Sequence, residues 1–215
     1  MRMAMKTTFL VVALLCSGMA LAQLSVNVGA TSDYIWRGIT QNEEDPSFSA
    51  GVEWTGSNGF YLKSWAANVA DPGEIEIDGW GGWAGETESG FTWDLGYIYY
   101  SFTGESDLNL GEIYASLGYK VFSVKYSDDS ENDTSYLEAN LEFELPGDYR
   151  LGLHGGDYDL SPDVSTNDVM VSVSKDWNQF TFMAAYSRLE IDVGSFSHDD
   201  DTFFGGITWS WTRGQ

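Results

Sequence analysis

The chain predicts an all-β fold, a transmembrane antiparallel up-and-down β-barrel of about twelve strands and bacterial outer-membrane type. Three observations point there. Apolar and polar residues alternate with period two from residue 24 almost to the C-terminus, with almost no helical periodicity. The final segment, Phe203-Phe204-Gly205-Gly206-Ile207-Thr208-Trp209-Ser210-Trp211, is an aromatic-ended amphipathic strand. A short export leader opens the chain, and no later stretch approaches a transmembrane helix. A bilayer leaves few ways to satisfy backbone hydrogen bonds. A sheet in lipid must close on itself, with apolar side chains out and polar ones in.

In the leader, Arg2 and Lys6 precede a short apolar core from Thr8 to Cys16. Ala20-Leu21-Ala22 is a small-x-small cleavage site. Residues 1–22 therefore read as a cleaved signal peptide and residues 23–215 as one barrel domain. Bulky Leu15 stands where a lipidated Cys16 would need a small neighbour. Cys16 is the single cysteine, so the mature chain is expected to have no disulfide, thiol nucleophile or cysteine metal site.

The formal net charge is −23, from 33 acidic and 10 basic residues, which argues against nucleic acid as a partner. Nine Trp, twelve Tyr and twelve Phe are far too many for a solvated acidic tail.

The strands are predicted at 24–39, 47–55, 60–69, 75–84, 91–101, 108–119, 121–127, 135–145, 149–157, 168–175, 180–189 and 202–211. An even number places both termini at one end. The phase is legible directly. Phe48, Ala50, Val52 and Trp54 alternate with Ser49, Gly51 and Glu53. Phe91, Trp93, Leu95, Tyr97 and Tyr99 alternate with Thr92, Asp94, Gly96, Ile98 and Tyr100. Leu137, Ala139, Leu141, Phe143 and Leu145 alternate with Glu138, Asn140, Glu142 and Glu144. Val169, Val171 and Val173 alternate with Met170, Ser172 and Ser174.

A soluble sandwich with one wet face would show the same alternation. Connection lengths favour the barrel. Gly56–Gly59, Gly85–Gly90, Tyr119-Lys120-Val121, Pro146–Asp148 and Asp176–Gln179 are mostly short. The other set tends to be longer, with open loops predicted at Tyr158–Asn167 and Glu190–Asp201; Ala70–Glu74 is its exception. That set is rich in Asp and Glu and holds no Lys or Arg, so one end becomes an anionic rim.

The run Ser32-Asp33-Tyr34-Ile35-Trp36-Arg37-Gly38-Ile39-Thr40-Gln41 is followed by Pro46, Gly59-Phe60-Tyr61 and Trp65-Ala66-Ala67-Asn68-Val69. Asp94-Leu95-Gly96-Tyr97, Glu112-Ile113-Tyr114 and Tyr136-Leu137-Glu138 come later. Together they resemble a proteobacterial envelope family, the Gcw-chp conserved hypothetical proteins, also called TorF-type candidate porins. The resemblance implies an outer-membrane barrel of porin type, with no established substrate and no catalytic residues. One departure is that the chain continues past Trp211 with Thr212-Arg213-Gly214-Gln215, where such barrels usually stop on the aromatic.

If the apolar phase faces lipid, the lumen-lining candidates are Asp33, Arg37, Glu53, Lys63, Glu76, Asp78, Asp94, Glu112, Lys125, Glu138, Glu142, Glu144, Arg150 and His154. Such charges either pair across the barrel or line a wet path, because burying them unpaired would cost several kcal/mol each. Acids outnumber bases, which predicts a mildly cation-preferring channel for small polar solutes. The alternatives are a non-conducting outer-membrane barrel with a structural or adhesive role, or a secreted soluble β-protein. Arg37, near the outer end of the first strand, is able to clamp an anionic solute or to pair with inward carboxylates, and pairing is the expected role. Trp36, Trp54, Trp83, Trp93, Tyr99, Trp209 and Trp211 read as an outward interfacial girdle.

Asp199, Asp200 and Asp201 match no twelve-residue calcium loop, so they predict loose attraction of divalent cations and no defined metal site. No triad spacing, phosphate loop or zinc spacing is present, and the chain reads as no enzyme and without cofactor. His154 beside a serine would be the only hydrolase candidate. Expected partners are outer-membrane lipid, the barrel-assembly machinery and small polar solutes or cations, with a homo-oligomer as a further option.

Overall fold

A computed structural model describes residues 22–161 and 164–213. The leader read at residues 1–22 falls, except for Ala22, outside the described residues. Fourteen strands follow in order: β1 Gln23–Thr31, β2 Ile35–Trp36, β3 Ile39–Thr40, β4 Ser47–Thr55, β5 Phe60–Asn68, β6 Ile75–Glu86, β7 Phe91–Phe102, β8 Leu110–Tyr119, β9 Phe122–Asp129, β10 Thr134–Leu145, β11 Tyr149–Ser161, β12 Val164–Trp177, β13 Phe180–Val193 and β14 Phe196–Arg213. Twelve of them form a closed antiparallel barrel in simple up-and-down order, and β2 and β3 form a separate hairpin.

The barrel closes on β1, which pairs with β4 on one side and β14 on the other. Closure leaves no free sheet edge, the condition lipid imposes on a spanning sheet. Residues beyond Trp211 take part in it. Thr212 lies opposite Ser25 and Arg213 opposite Leu24, and the Ser25 and Thr212 hydroxyls are 3.1 Å apart.

Alternation divides the side chains into two populations. Phe203 is 79% exposed, Phe48 67% and Ile113 63%, all on the outer face. The same strands turn Ser47, Glu112 and Tyr114 inward, where they are buried. Large apolar side chains so widely exposed around a closed sheet suit a lipid solvent far better than water.

Two expectations about segments need correction. The first predicted strand, 24–39, ends at Thr31. Ser32 donates its backbone N–H to Gly205 O, and the chain then leaves the wall to form the β2–β3 hairpin. The alternation of Tyr34, Trp36 and Gly38 against Asp33, Ile35 and Arg37 continues the strand pattern, so periodicity alone hid the break. The expected open loops at Tyr158–Asn167 and Glu190–Asp201 are instead β-ladder. Pairing continues to Ser161↔Val164 and to Val193↔Phe196, so two long hairpins rise above that end of the barrel. The opposite end has tight turns, with Lys120, Asp148 and Asn178 in the left-handed region that two- and three-residue hairpin loops require.

Candidate functional site at the inner hairpin

The β2–β3 hairpin turns on Arg37-Gly38, whose φ angles of 49° and 78° are both positive, as in a type I′ turn. Its base is fastened by Thr31 Oγ1 donating to Asp33 O at 2.7 Å, Thr40 Oγ1 to Asp33 Oδ1 at 2.7 Å and Gln41 N to Tyr34 O at 2.7 Å. Ala70 N donates to Gln41 O at 2.8 Å, tying the hairpin to the β5–β6 connection. Tyr34 packs edge-on against Trp65. Burial raises the Tyr34 pKa, and the charges of Glu76 and Asp78 raise it further.

The tip reaches across the interior. A Cβ on Gly38 would stand 2.7 Å from Asp168 Cβ on β12 and 3.0 Å from Leu189 Cδ1 on β13, so only glycine fits there at this φ. Arg37 Nη2 donates to Glu112 Oε2 on β8 at 2.7 Å, with side chains 5% and 2% exposed. The guanidinium carbon lies 4.3 Å from the ring centroid of Trp36, 4.3 Å from Tyr136 and 4.5 Å from Tyr158. This is an aromatic cage around a buried cation. Burial works to lower the Arg37 pKa, but Glu112 together with Tyr100 and Tyr158 holds it above its ordinary value. Arg37 Nη1 has no hydrogen-bond partner among the described residues.

Trp36 is therefore no part of the outward girdle. It lies inside, edge-on to Tyr100 and Tyr158, because its strand left the wall. Trp83, Trp93, Tyr99 and Trp211 are exposed on the outer face.

A polar network continues from the cage. Tyr136 donates to Asp168 Oδ1 at 2.8 Å. His154 Nε2 lies 2.8 Å from Asp168 Oδ2 and 2.9 Å from the Tyr136 hydroxyl, while its Nδ1 is 2.7 Å from Asn140 Oδ1. Both ring nitrogens are thus engaged away from any serine. A Cβ on Gly156 would fall 2.1 Å from the Tyr136 hydroxyl, so this glycine makes room for the phenol. Lys125 lies 3.3 Å from Glu138, and His154 lies 3.7 Å from the same carboxylate.

The remaining candidates are distributed along the interior. Glu53 and Lys63 pair at 3.1 Å. Asp94 accepts from Tyr61 at 2.7 Å, and Tyr61 is in turn bonded to Tyr114. Glu76 and Asp78 are buried neighbours on one face of β6. Arg150 makes a bidentate pair with Asp176, and Glu142 and Glu144 are exposed toward the short-turn end. Asp199, Asp200 and Asp201 are consecutive in β14, which turns them to alternate faces, and Asp199 pairs with Arg188. No cluster of three metal-ligating side chains forms among the described residues.

Cavities lie on two sides of the hairpin. One of about 430 Å³ lies between β3 and the β5–β6 and β7–β8 connections. Another, of about 290 Å³, is lined by Arg37, Lys125, Glu138, His154 and Asp168.

Residues 17–209 match a family described as "Bacterial protein of unknown function (Gcw_chp)". The chain belongs to the Gcw_chp family. Among solved structures, this Gcw_chp chain is similar to one described as "KdgM porin", at 12% identity and a TM-score of 0.61, covering 88% of this chain and 99% of that one. It is also similar to "KdgM porin in complex with disordered oligogalacturonate", at 13% identity and a TM-score of 0.58, with the same coverage. At such identities the likeness is one of fold. No curated protein matches the chain.

Several residues of the Gcw_chp site lie beyond what the sequence pattern singles out. Asp168 and Tyr136 lie in phase with Met170 and Glu138, so extending the two alternations by one step finds them. Tyr158 falls where a loop is expected and strand is found. The cage has no signal in the alternation, because its rings come from separate elements, although Trp36, Arg37, Glu112 and Tyr136 all fall in the runs that carry the family resemblance.

Proposed function

We propose that this Gcw_chp barrel lies in the bacterial outer membrane and is a channel for small polar solutes, with a mild preference for cations. The observation that carries the reading is a closed barrel with an apolar outside, whose charged interior is narrowed by a hairpin with cavities on two sides of it. Polar wall groups replace part of a solute's hydration, and the excess sign selects ions. Acids are in excess: Asp33, Glu76, Asp78 and Asp94 face inward with no basic partner within ion-pair distance among the described residues. The neighbour bound to oligogalacturonate holds a polyanion; the acidic interior here favours the opposite sign. Short turns would face the periplasm and the long acidic hairpins the cell exterior. Insertion by the barrel-assembly machinery and a homo-oligomeric state are part of the same proposal.

A second reading is a barrel shut by its hairpin, with a structural or adhesive role. Burial of both Arg37 and Glu112 at the hairpin tip favours it. Single-channel recording in planar bilayers separates the two. Discrete conductance with a cation-to-anion permeability ratio above one supports the channel. Silence at all voltages supports the closed barrel, and a ratio below one overturns the selectivity.

A further inference from the structure

We infer that the cavity of about 430 Å³ above the hairpin is a binding site for a small organic cation with an apolar body, such as an arylalkylammonium. Its walls are largely apolar, from Trp36, Val69, Phe102 and Leu108. Its titratable lining is rich in acids: Glu43, Asp71 and Glu76 contribute, and no Lys, Arg or His does among the described residues. The volume is in the range of small-ligand pockets, which combine apolar walls with a few placed polar groups.

Glu76 supplies the placed group. It is 3% exposed, and its Oε2 has no hydrogen-bond partner among the described residues. A buried carboxylate oxygen without a partner is costly, and a cationic N–H donor would offset that cost. Arg37 cannot serve, because its guanidinium is held by Glu112 on the side of the other cavity. A cation without an apolar body would leave the Trp36 and Phe102 walls uncovered. A neutral donor would satisfy Glu76 Oε2 but leave the negative charge of Glu43, Asp71 and Glu76 uncompensated, and an anion would be repelled by it. The site needs both halves of the ligand at once. It does not depend on conduction through the barrel.

Calorimetric titration of the detergent-solubilised barrel tests this with phenethylammonium, 3-phenylpropionate and methylammonium. Phenethylammonium is expected to bind at least about tenfold more tightly than either of the others. Glu76→Gln should reduce its affinity by about tenfold while heat-modifiable gel mobility stays that of a folded barrel. Leu108→Asn should also weaken it by replacing part of the apolar wall with a hydrated, uncharged amide. Equal binding of phenethylammonium and 3-phenylpropionate, or absence of binding by the folded wild-type protein, overturns the site. That comparison uses wild-type protein only, so it stands even if a variant does not fold. Binding in a barrel that passes no current leaves the site intact and removes only the channel.

Discussion

Arg37 and Glu112 are 75 residues apart in the chain and 2.7 Å apart in space, and their bond joins an inward hairpin to the barrel wall. The pair is withdrawn from solvent and ringed by Trp36, Tyr136 and Tyr158. Breaking such a pair leaves one buried charge uncompensated. Arg37→Met should therefore lower stability by about 3–5 kcal/mol. Combining it with Glu112→Gln should restore most of the loss, since neither partner is then charged. Urea unfolding of the barrel in lipid vesicles reads both values. A double variant no more stable than Arg37→Met would mean that the bond is not what holds the tip.

The glycine beside it leads to a second expectation. Its φ is 78°, and Asp168 Cβ lies 2.7 Å from where a Cβ would stand, so Gly38 tolerates no side chain. Gly38→Val should cost about 1–3 kcal/mol from backbone strain, before any clash is counted. The tip can escape the clash only by lifting off β12 and β13, which widens the narrow part of the lumen. Single-channel conductance should rise and its open-state noise increase. Unchanged conductance in a folded Gly38→Val barrel would separate the hairpin from the conducting path.

The barrel was legible from the sequence because a wall strand has a strict period and each side chain has one of two solvents. The twelve wall strands and their facing follow from that rule, and the connection lengths separate an up-and-down barrel from a sandwich. The hairpin was not legible, because Ile35-Trp36 and Ile39-Thr40 keep strand-like alternation after the wall has ended at Thr31. The break depends on positive φ at Arg37 and Gly38, and only Gly38 advertises it. Extended hairpins at the acidic end escaped for the opposite reason. Asp192 and Asp199 look like loop residues because both faces of a ladder that projects beyond the barrel can be polar. At the site, phase finds Glu112, Glu138 and His154. It places Arg37 inside from a wall strand that has already ended, does not single out Asp168, and passes over the tyrosines because an inward aromatic ring breaks the polar-inside rule.

Selectivity is expected to respond most at the short-turn mouth. Glu142 and Glu144 are exposed there, and neither has a basic partner within ion-pair distance among the described residues. Glu138 is closely paired with Lys125 and beside His154. Neutralising Glu142 and Glu144 together with Gln should lower the cation-to-anion permeability ratio, with little effect on stability because exposed substitutions usually stay within about 0.5 kcal/mol. Reversal potentials under a salt gradient provide the measurement. A ratio identical to wild type would remove both residues from the ion path.

The outer face yields a test of the solvent it meets. Leu95 lies at the middle of β7 and is 55% exposed, and Tyr119 lies at the end of β8 and is also exposed. In water the two positions are alike, and Arg at either should change stability by no more than about 0.5 kcal/mol. In a bilayer they differ, because the cost of a cation depends on its depth. Leu95→Arg should cost about 2–4 kcal/mol and Tyr119→Arg about 0–1 kcal/mol. Ser116→Arg is the inward control: Ser116 faces Asp94 across the β7–β8 ladder, so the new cation gains a carboxylate instead of meeting lipid. Folding titrations in lipid vesicles should rank Leu95→Arg as by far the most damaging of the three. Equal, small effects at Leu95 and Tyr119 would mean that this face meets water, and the barrel would then have no membrane to span.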